Sequence, residues 1–343
     1  MSTRTRLAAV VAALALIGSA VAGCAGGGTR VTDCSGQTVK IGQSTVGNLQ
    51  YAALYVAQDK GYFGEGGLKV ETLEMGGGSE AIQALAGGSV DVALTTFAAI
   101  LSAAERGAPL VAFAATADRN TADVGVKNRF APPAGADLDT AVRALRGHRV
   151  AVTSVGSGAD QTLRYLLRRA GMNPDSDVTI VAAGGAAETV AAFANGSVDA
   201  YIIGPPASLV AAERGDGRVM LRLASGIAPD LDNLLYGVAA TSNATMNRKE
   251  PVMRCFAVAL NKADAFIHGQ PDQAAALLRS RFPEMTDSQF AQSWDPIVKA
   301  TPATAAINPG EAAKAAQFVS TVLNKSGIDA TKAYDGRFSE DLK

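Results

Sequence analysis

The stretch EAIQALAGGSVDVALTTFAAILSAAERG, Glu80 to Gly107, returns 108 positions later as ETVAAFANGSVDAYIIGPPASLVAAERG, Glu188 to Gly215. Aligned without a gap, 14 of the 28 paired positions are identical, among them Gly-Ser-Val-Asp at one offset and the closing Ala-Ala-Glu-Arg-Gly. Alanine-rich composition does not produce that combination. After a one-residue shift the match continues upstream, where Gln43-Ser44-Thr45-Val46-Gly47 pairs with Val152-Thr153-Ser154-Val155-Gly156. A repeat of this length marks a duplicated structural unit. Here it implies two similar α/β lobes, and two lobes enclose a cleft of the kind that takes ligands.

Working outward from the repeat, strand and helix patterns alternate. The first lobe reads as strand Val39 to Ser44, helix Tyr51 to Lys60, strand Lys69 to Leu73, helix Ser79 to Ala86, strand Val90 to Thr95, helix Ala98 to Arg106 and strand Leu110 to Thr116. The second repeats that order: Arg149 to Thr153, Asp160 to Arg169, Val178 to Val181, Ala187 to Ala194, Val198 to Ile203, Ala207 to Arg214 and Val219 to Leu223. This alternation predicts an α/β fold with a mostly parallel sheet in each lobe, flanked by helices. Asp123 to Lys127 and Tyr236 to Thr241 break the rhythm. Both are short, extended and glycine-containing, and they read as two crossover strands forming a hinge. The chain then returns to the first lobe through helices Pro251 to Ile267, Pro271 to Arg281 and Thr286 to Val298. A last helix is capped at Asn308 with Glu311 three residues on and ends at Gly327. The expected division is 38–120 with 240–343 for lobe I and 121–239 for lobe II.

The N-terminus carries a different signal. Arg4 and Arg6 precede the wholly apolar Leu7 to Ile17, and small residues follow up to Cys24. That pattern is an export signal, 1–23, too short to remain as a membrane span. Val21-Ala22-Gly23-Cys24 resembles a bacterial lipobox, in which the cysteine is lipidated, for instance with palmitate. Residues 24–37 then form a tether, and the protein is anchored to the membrane without spanning it. Net charge is −1 with 6% aromatic residues and no basic run, which leaves no electrostatic footprint for nucleic acid. Two further cysteines, Cys34 and Cys255, admit either a disulfide, since an exported chain meets oxidising conditions, or a buried thiol at Cys255 on a helix face. With His148 and His268 as the only histidines, no metal cluster is expected, and no cofactor. No P-loop and no Gly-x-Ser-x-Gly elbow occurs, so the chain does not read as an enzyme.

Several ordered motifs then meet a known family. Leu54-Tyr55-Val56-Ala57, Gly61-Tyr62-Phe63 and Gly67-Leu68-Lys69-Val70-Glu71 resemble the signature of ABC-importer solute-binding proteins for nitrate, sulfonates, taurine and thiamine-pyrimidine precursors. Gly76-Gly77-Gly78-Ser79, Gly88-Ser89-Val90-Asp91, Arg146-Gly147-His148-Arg149, Gly196-Ser197-Val198-Asp199 and the closing Tyr334-Asp335-Gly336-Arg337-Phe338 fall in that family's order. The resemblance covers the chain beyond the leader. It implies a type II periplasmic-binding-protein fold, a small-molecule solute as ligand, and an ABC permease with its ATPase as partners. It also implies a monomer lipid-anchored on the outer side of the membrane. A ligand sensor without transport is an alternative on the same sequence, as is a vitamin-pathway enzyme of the same fold. Asn48-Leu49-Gln50-Tyr51-Ala52 is similar to a stretch in members that bind heteroaromatic precursors.

Ligands of open α/β sheets bind beyond the carboxyl ends of the strands. That rule selects Thr45, Asn48, Gln50, Tyr51, Gly77, Gly78, Ser79, Thr95, Thr96, Phe97 and Thr116 from the first lobe. From the second it selects Ser154, Gly156, Ser157, Gly184, Gly185, Gly204 and Pro205. These loops hold no lysine or arginine. An anion would be held by backbone N–H groups and hydroxyls, whereas a neutral or zwitterionic solute would stack on Tyr51 or Phe97. Asp91 and Asp199 read as structural.

Overall fold

The computed structural model describes residues 33–45 and 47–342. The expected export signal, Cys24 and most of the tether lie outside them. Ten strands occur among the described residues: β1 (Thr38–Gln43), β2 (Lys69–Glu74), β3 (Val92–Thr96), β4 (Leu110–Ala117), β5 (Asp123–Lys127), β6 (Arg149–Val152), β7 (Thr179–Ala182), β8 (Ala200–Ile203), β9 (Gly217–Arg222) and β10 (Gly237–Ser242). They form two sheets with matching orders, β2-β1-β3-β10-β4 and β7-β6-β8-β5-β9. In each sheet four strands run parallel and one, β10 or β5, runs antiparallel between its neighbours. The two stretches that broke the rhythm are therefore more than hinge strands, because each is an internal member of a sheet. The second begins at Gly237, which leaves Tyr236 outside it.

The repeat is visible at the level of atoms. Asp91 donates its N–H to the Lys40 carbonyl (2.8 Å), and its carboxylate accepts the Lys40 N–H (3.2 Å). Asp199 makes the same two bonds with Arg149, at 2.8 and 3.0 Å. Each aspartate thus ties the start of β3 or β8 to the strand beside it. The Arg149 side chain also bonds the Asp199 carboxylate and holds its pKa below the usual range.

Local chemistry departs from expectation in a few places. The first helix starts at Ala52, preceded by a 3₁₀ turn over Leu49–Tyr51 that Asn48 caps through its side chain. Helices Tyr62–Glu65 and Leu138–Arg143 were not foreseen; neither is long enough to develop a 3.6-residue apolar period. Asn308 caps the last helix by accepting the Gly310 N–H. Glu311 meets the Asn308 side-chain amide instead of its backbone, so the reciprocal capping box occurs at Thr286 and Gln289 instead. Cys34 and Cys255 are joined in a disulfide spanning 221 residues, which fastens the chain ahead of β1 to the helix Glu250–Gly269.

That helix also carries Asp264, wholly buried, with no hydrogen-bond partner on either carboxylate oxygen. Burial first, and then the neighbouring Asp118, push its carboxyl well above the usual range. Burial and the nearby Glu311 likewise raise Asp118 to about 7, and burial raises Asp123 to about 6. Raised folded-state values mean that the native chain keeps protons that the unfolded chain releases near pH 4. The associated stability is full below the unfolded value and is lost as pH rises through the folded one. The melting temperature is therefore expected to fall from pH 5 to pH 8. Asp264→Asn should melt above the parent at pH 8 and flatten that slope. Calorimetric scans that run parallel for the two proteins would refute the assignment.

Candidate functional site

Between the lobes lies a cavity of about 50 Å³. Ser44, Thr45, Asn48, Gln50, Gly78, Thr95 and Thr96 form its first-lobe wall, and Thr153, Ser157, Gly158, Ala159, Ile202, Ile203 and Gly204 its second-lobe wall. Ala122 and Tyr236, from the two segments that cross between the lobes, complete the lining. Strand carboxyl ends converge here, and each is followed by a helix whose first N–H groups have no intrahelical acceptor. The helices Gly78–Ala86, Phe97–Ala104 and Gly158–Arg169 all begin at this wall.

The lining holds no Lys, Arg, His, Asp or Glu. Instead it holds hydroxyls. Thr45, Thr95 and Thr153 are each at most 8% exposed, and none of their side chains makes a hydrogen bond to another described residue. Their hydroxyls open onto the cavity, where water satisfies them until a solute takes its place. Thr96 and Ser157 are helix caps that accept N–H bonds from Ala99 and Asp160, which leaves each hydroxyl hydrogen free to donate into the cavity. The Asn48 side-chain oxygen is taken by the Gln50 N–H, and its amide faces Gly204. Backbone N–H groups only donate, and helix starts favour negative charge. The wall therefore suits a solute rich in acceptors, positioned by hydroxyls and N–H groups without a countercharge.

The lobes are in contact around this cavity. The Leu49 N–H donates to the Pro205 carbonyl (3.1 Å), and the Asn120 amide to the Thr162 hydroxyl (2.9 Å). The Tyr165 ring stacks on Phe318 with centroids 4.8 Å apart. Gly158 sits so close to Thr96 that a Cβ on it would lie 2.4 Å from the threonine methyl. This is a closed arrangement.

Thr45, Asn48, Gln50, Gly78, Thr95, Thr96, Ser157 and Gly204 come together at the cavity, as the strand-end rule expects. The others do not line it. Tyr51 is buried and bonds the Ser44 hydroxyl (2.5 Å) and the Leu94 carbonyl (3.3 Å), so it supports the wall from behind. Phe97 is fully buried, its ring 6.4 Å from that of Tyr334. Neither ring is available for stacking, and the expected platform is absent. Thr116 lies against Gly237 behind the wall, and Gly184 and Gly185 lie against Glu188. The Gly156 N–H is taken by the Asp160 carboxylate (2.8 Å). Pro205 contributes its carbonyl to the interlobe bond already described. Gly77, Ser79 and Ser154 meet each other at the rim.

Sequence reasoning missed Ser44, Thr153, Gly158 and Tyr236, and with them the apolar lining residues Ala122, Ala159, Ile202 and Ile203. The first two occupy paired positions in the upstream repeat, a signal that was present. Tyr236 is the aromatic residue that does reach the cavity. Its N–H donates to Ala117 and its carbonyl accepts from Phe97, which fixes it where the chain re-enters the first lobe. Burial raises the pKa of its phenol, opposed by a hydrogen bond with Thr162.

Among the described residues no group of three or more His, Cys, Asp or Glu could hold a metal ion, and no helix is long and apolar enough to cross a membrane. The fold is shared with many solved structures. A protein from Bordetella bronchiseptica RB50 aligns at TM-score 0.76 and 22% identity over 88% of this chain and 96% of its own. The alkanesulfonate-binding protein SsuA from Xanthomonas axonopodis pv. citri, bound to MOPS, aligns at 0.66 and 20% over 87% of this chain and 98% of its own. The periplasmic nitrate-binding protein NrtA from Synechocystis PCC 6803 aligns at 0.66 and 16% over 89% and 87%. No curated protein sequence matches significantly. A family model described as NMT1/THI5 like matches residues 48–274, about two thirds of the chain, and the protein belongs to that family.

Proposed function

We propose that this chain is the solute-binding subunit of an ABC importer, and that it captures a compact, acceptor-bearing solute in the cavity between its lobes. In this reading 38–120 with 240–343 and 121–239 are the two moving bodies, except that Gly237–Ala239, as the start of β10, moves with the first sheet it belongs to, and the crossing segments before Asp123 and at Tyr236 are the hinge. Cys24 carries a lipid that holds the monomer on the outer face of the membrane, within reach of a permease and its ATPase. The sulfonate- and nitrate-binding proteins of the same fold support the solute class. The observation that carries the proposal is the trio of threonine hydroxyls, Thr45, Thr95 and Thr153, which have no partner among the described residues and line the interlobe cavity from opposite walls. A nitrate ion or short sulfonate suits this hydroxyl-rich lining better than a heteroaromatic ring, because Tyr51 and Phe97 are turned into the core and leave only the edge of the site at Tyr236 aromatic.

A ligand that binds only the folded chain stabilises it by RT ln(1 + [L]/Kd), about 2.7 kcal/mol at a hundredfold excess over Kd. In a thermal-shift panel of nitrate, methanesulfonate, taurine and thiamine pyrimidines, one of the compact anions is expected to raise the melting temperature most. If no solute does so, or if the protein turns over a substrate, the binding-subunit reading fails.

A further inference from the structure

At the rim of the cleft, outside the cavity lining, Ser79 of the first lobe reaches across to the second. Its hydroxyl donates to the Val155 carbonyl (2.8 Å) and accepts from the Ser154 hydroxyl (3.2 Å). The loop that presents it is shaped for this approach. Gly77 holds φ at 152°, where side chains rarely fit, and a Cβ there would stand 2.9 Å from the Ser154 Oγ. The repeat supplies an internal control, because the position of Ser79 is filled in the second lobe by Ala187, which cannot make either bond. The serine is therefore not a requirement of the shared frame. Val155 itself is 63% exposed, so apolar burial does not explain where this loop sits.

We infer that Ser79, with Ser154 and the Val155 carbonyl, forms a one-sided clasp that holds the lobes shut, and so sets how long a solute stays without touching it. The inference rests on the lobes closing over a solute, but not on which solute. Ser79 is a positioning residue in this scheme. Removing it destabilises the closed form alone, so the release rate rises while the rate of first encounter is kept.

The test uses the whole protein with a fluorophore pair at the exposed Glu71 and Ser176, one on each lobe, to report closure. Ser79→Ala is expected to lower the closed fraction and to speed release of nitrate or methanesulfonate by about 2- to 10-fold, the usual span for one net hydrogen bond. Association rate and solute-free melting temperature should stay at parent values, and Ser79→Thr should restore closure. Ser154→Ala should have a smaller effect, and the double variant should be no worse than Ser79→Ala, because both act on one contact. In a separate arm, Ser79→Cys with Ser154→Cys should cross-link under mild oxidation without any solute. If neither anion binds yet this pair cross-links and Ser79→Ala opens the lobes, the clasp stands and the solute assignment falls. Parent-like closure and release in Ser79→Ala would overturn the clasp. So would an effect that Ser79→Thr does not rescue, or one accompanied by a lower melting temperature.

Discussion

Gly158→Ala is expected to weaken binding of a cognate anion by about 10- to 100-fold while leaving the solute-free protein folded and equally stable. The added Cβ would lie 2.4 Å from the Thr96 methyl, 3.1 Å from Thr96 Oγ1 and 3.3 Å from Thr96 Cβ. All three atoms belong to the opposite lobe, so neither lobe is overpacked by itself. Alanine is also compatible with this first position of the Gly158–Arg169 helix, where the backbone needs no positive φ. The clash is felt only when the cleft shuts. Overpacking of this kind costs about 1–3 kcal/mol, which bears on affinity under the proposal that the lobes close over the solute. Thr96→Ser provides the control, since it removes the methyl but keeps the hydroxyl that caps the Phe97–Ala104 helix. The double variant should recover much of the lost affinity. Titration calorimetry with the anion picked out by thermal shift measures both steps. Parent-like affinity in Gly158→Ala would mean that binding does not require this closed arrangement.

Loss of the Cys34–Cys255 bridge is expected to lower the melting temperature by about 5–10 °C. A cross-link that closes a loop of 221 residues removes about 5 kcal/mol of unfolded-state freedom in the chain-entropy model. The unfolding entropy of a protein near 300 residues converts that figure into the stated shift. Both sulfurs are buried, Cys34 at 1% and Cys255 at 8% exposure, so paired alanine substitution removes little packing beyond the bond. The comparison is a calorimetric scan of the parent against Cys34→Ala with Cys255→Ala, repeated on the parent under reducing conditions. Superimposable transitions would show that the bridge contributes nothing to stability.

The two-sheet plan was legible in the sequence because duplication left identical residues with identical jobs, as the paired bonds of Asp91 and Asp199 illustrate. The strands β5 and β10 were legible as extended breaks in a helical rhythm. Their insertion between β8 and β9, and between β3 and β4, was not, since no local residue names a distant partner. The site was legible only to within one residue. Thr95 and Thr96 reach the cavity, whereas Phe97, the next residue, begins a helix and turns into the core. Side-chain direction changes faster than any strand-end rule can follow. Gly184 and Gly185 matched Gly76 and Gly77 in the repeat, yet only Gly77 meets the opposite lobe, because the two lobes close asymmetrically. Tyr236 was read as the first residue of a crossover strand, whereas it stands one residue outside β10 and lines the cavity.

The exchange of β5 and β10 also dictates an order of assembly. All five strands of the second sheet lie within residues 123–222, so a growing chain that has reached Tyr236 already contains that sheet entire. The first sheet at that moment is in two pieces, β2-β1-β3 and a solitary β4, because the strand that joins them is still to come. The lobe begun first is completed last. A chain interrupted there would present two open sheet edges, the surfaces on which unfinished β proteins aggregate.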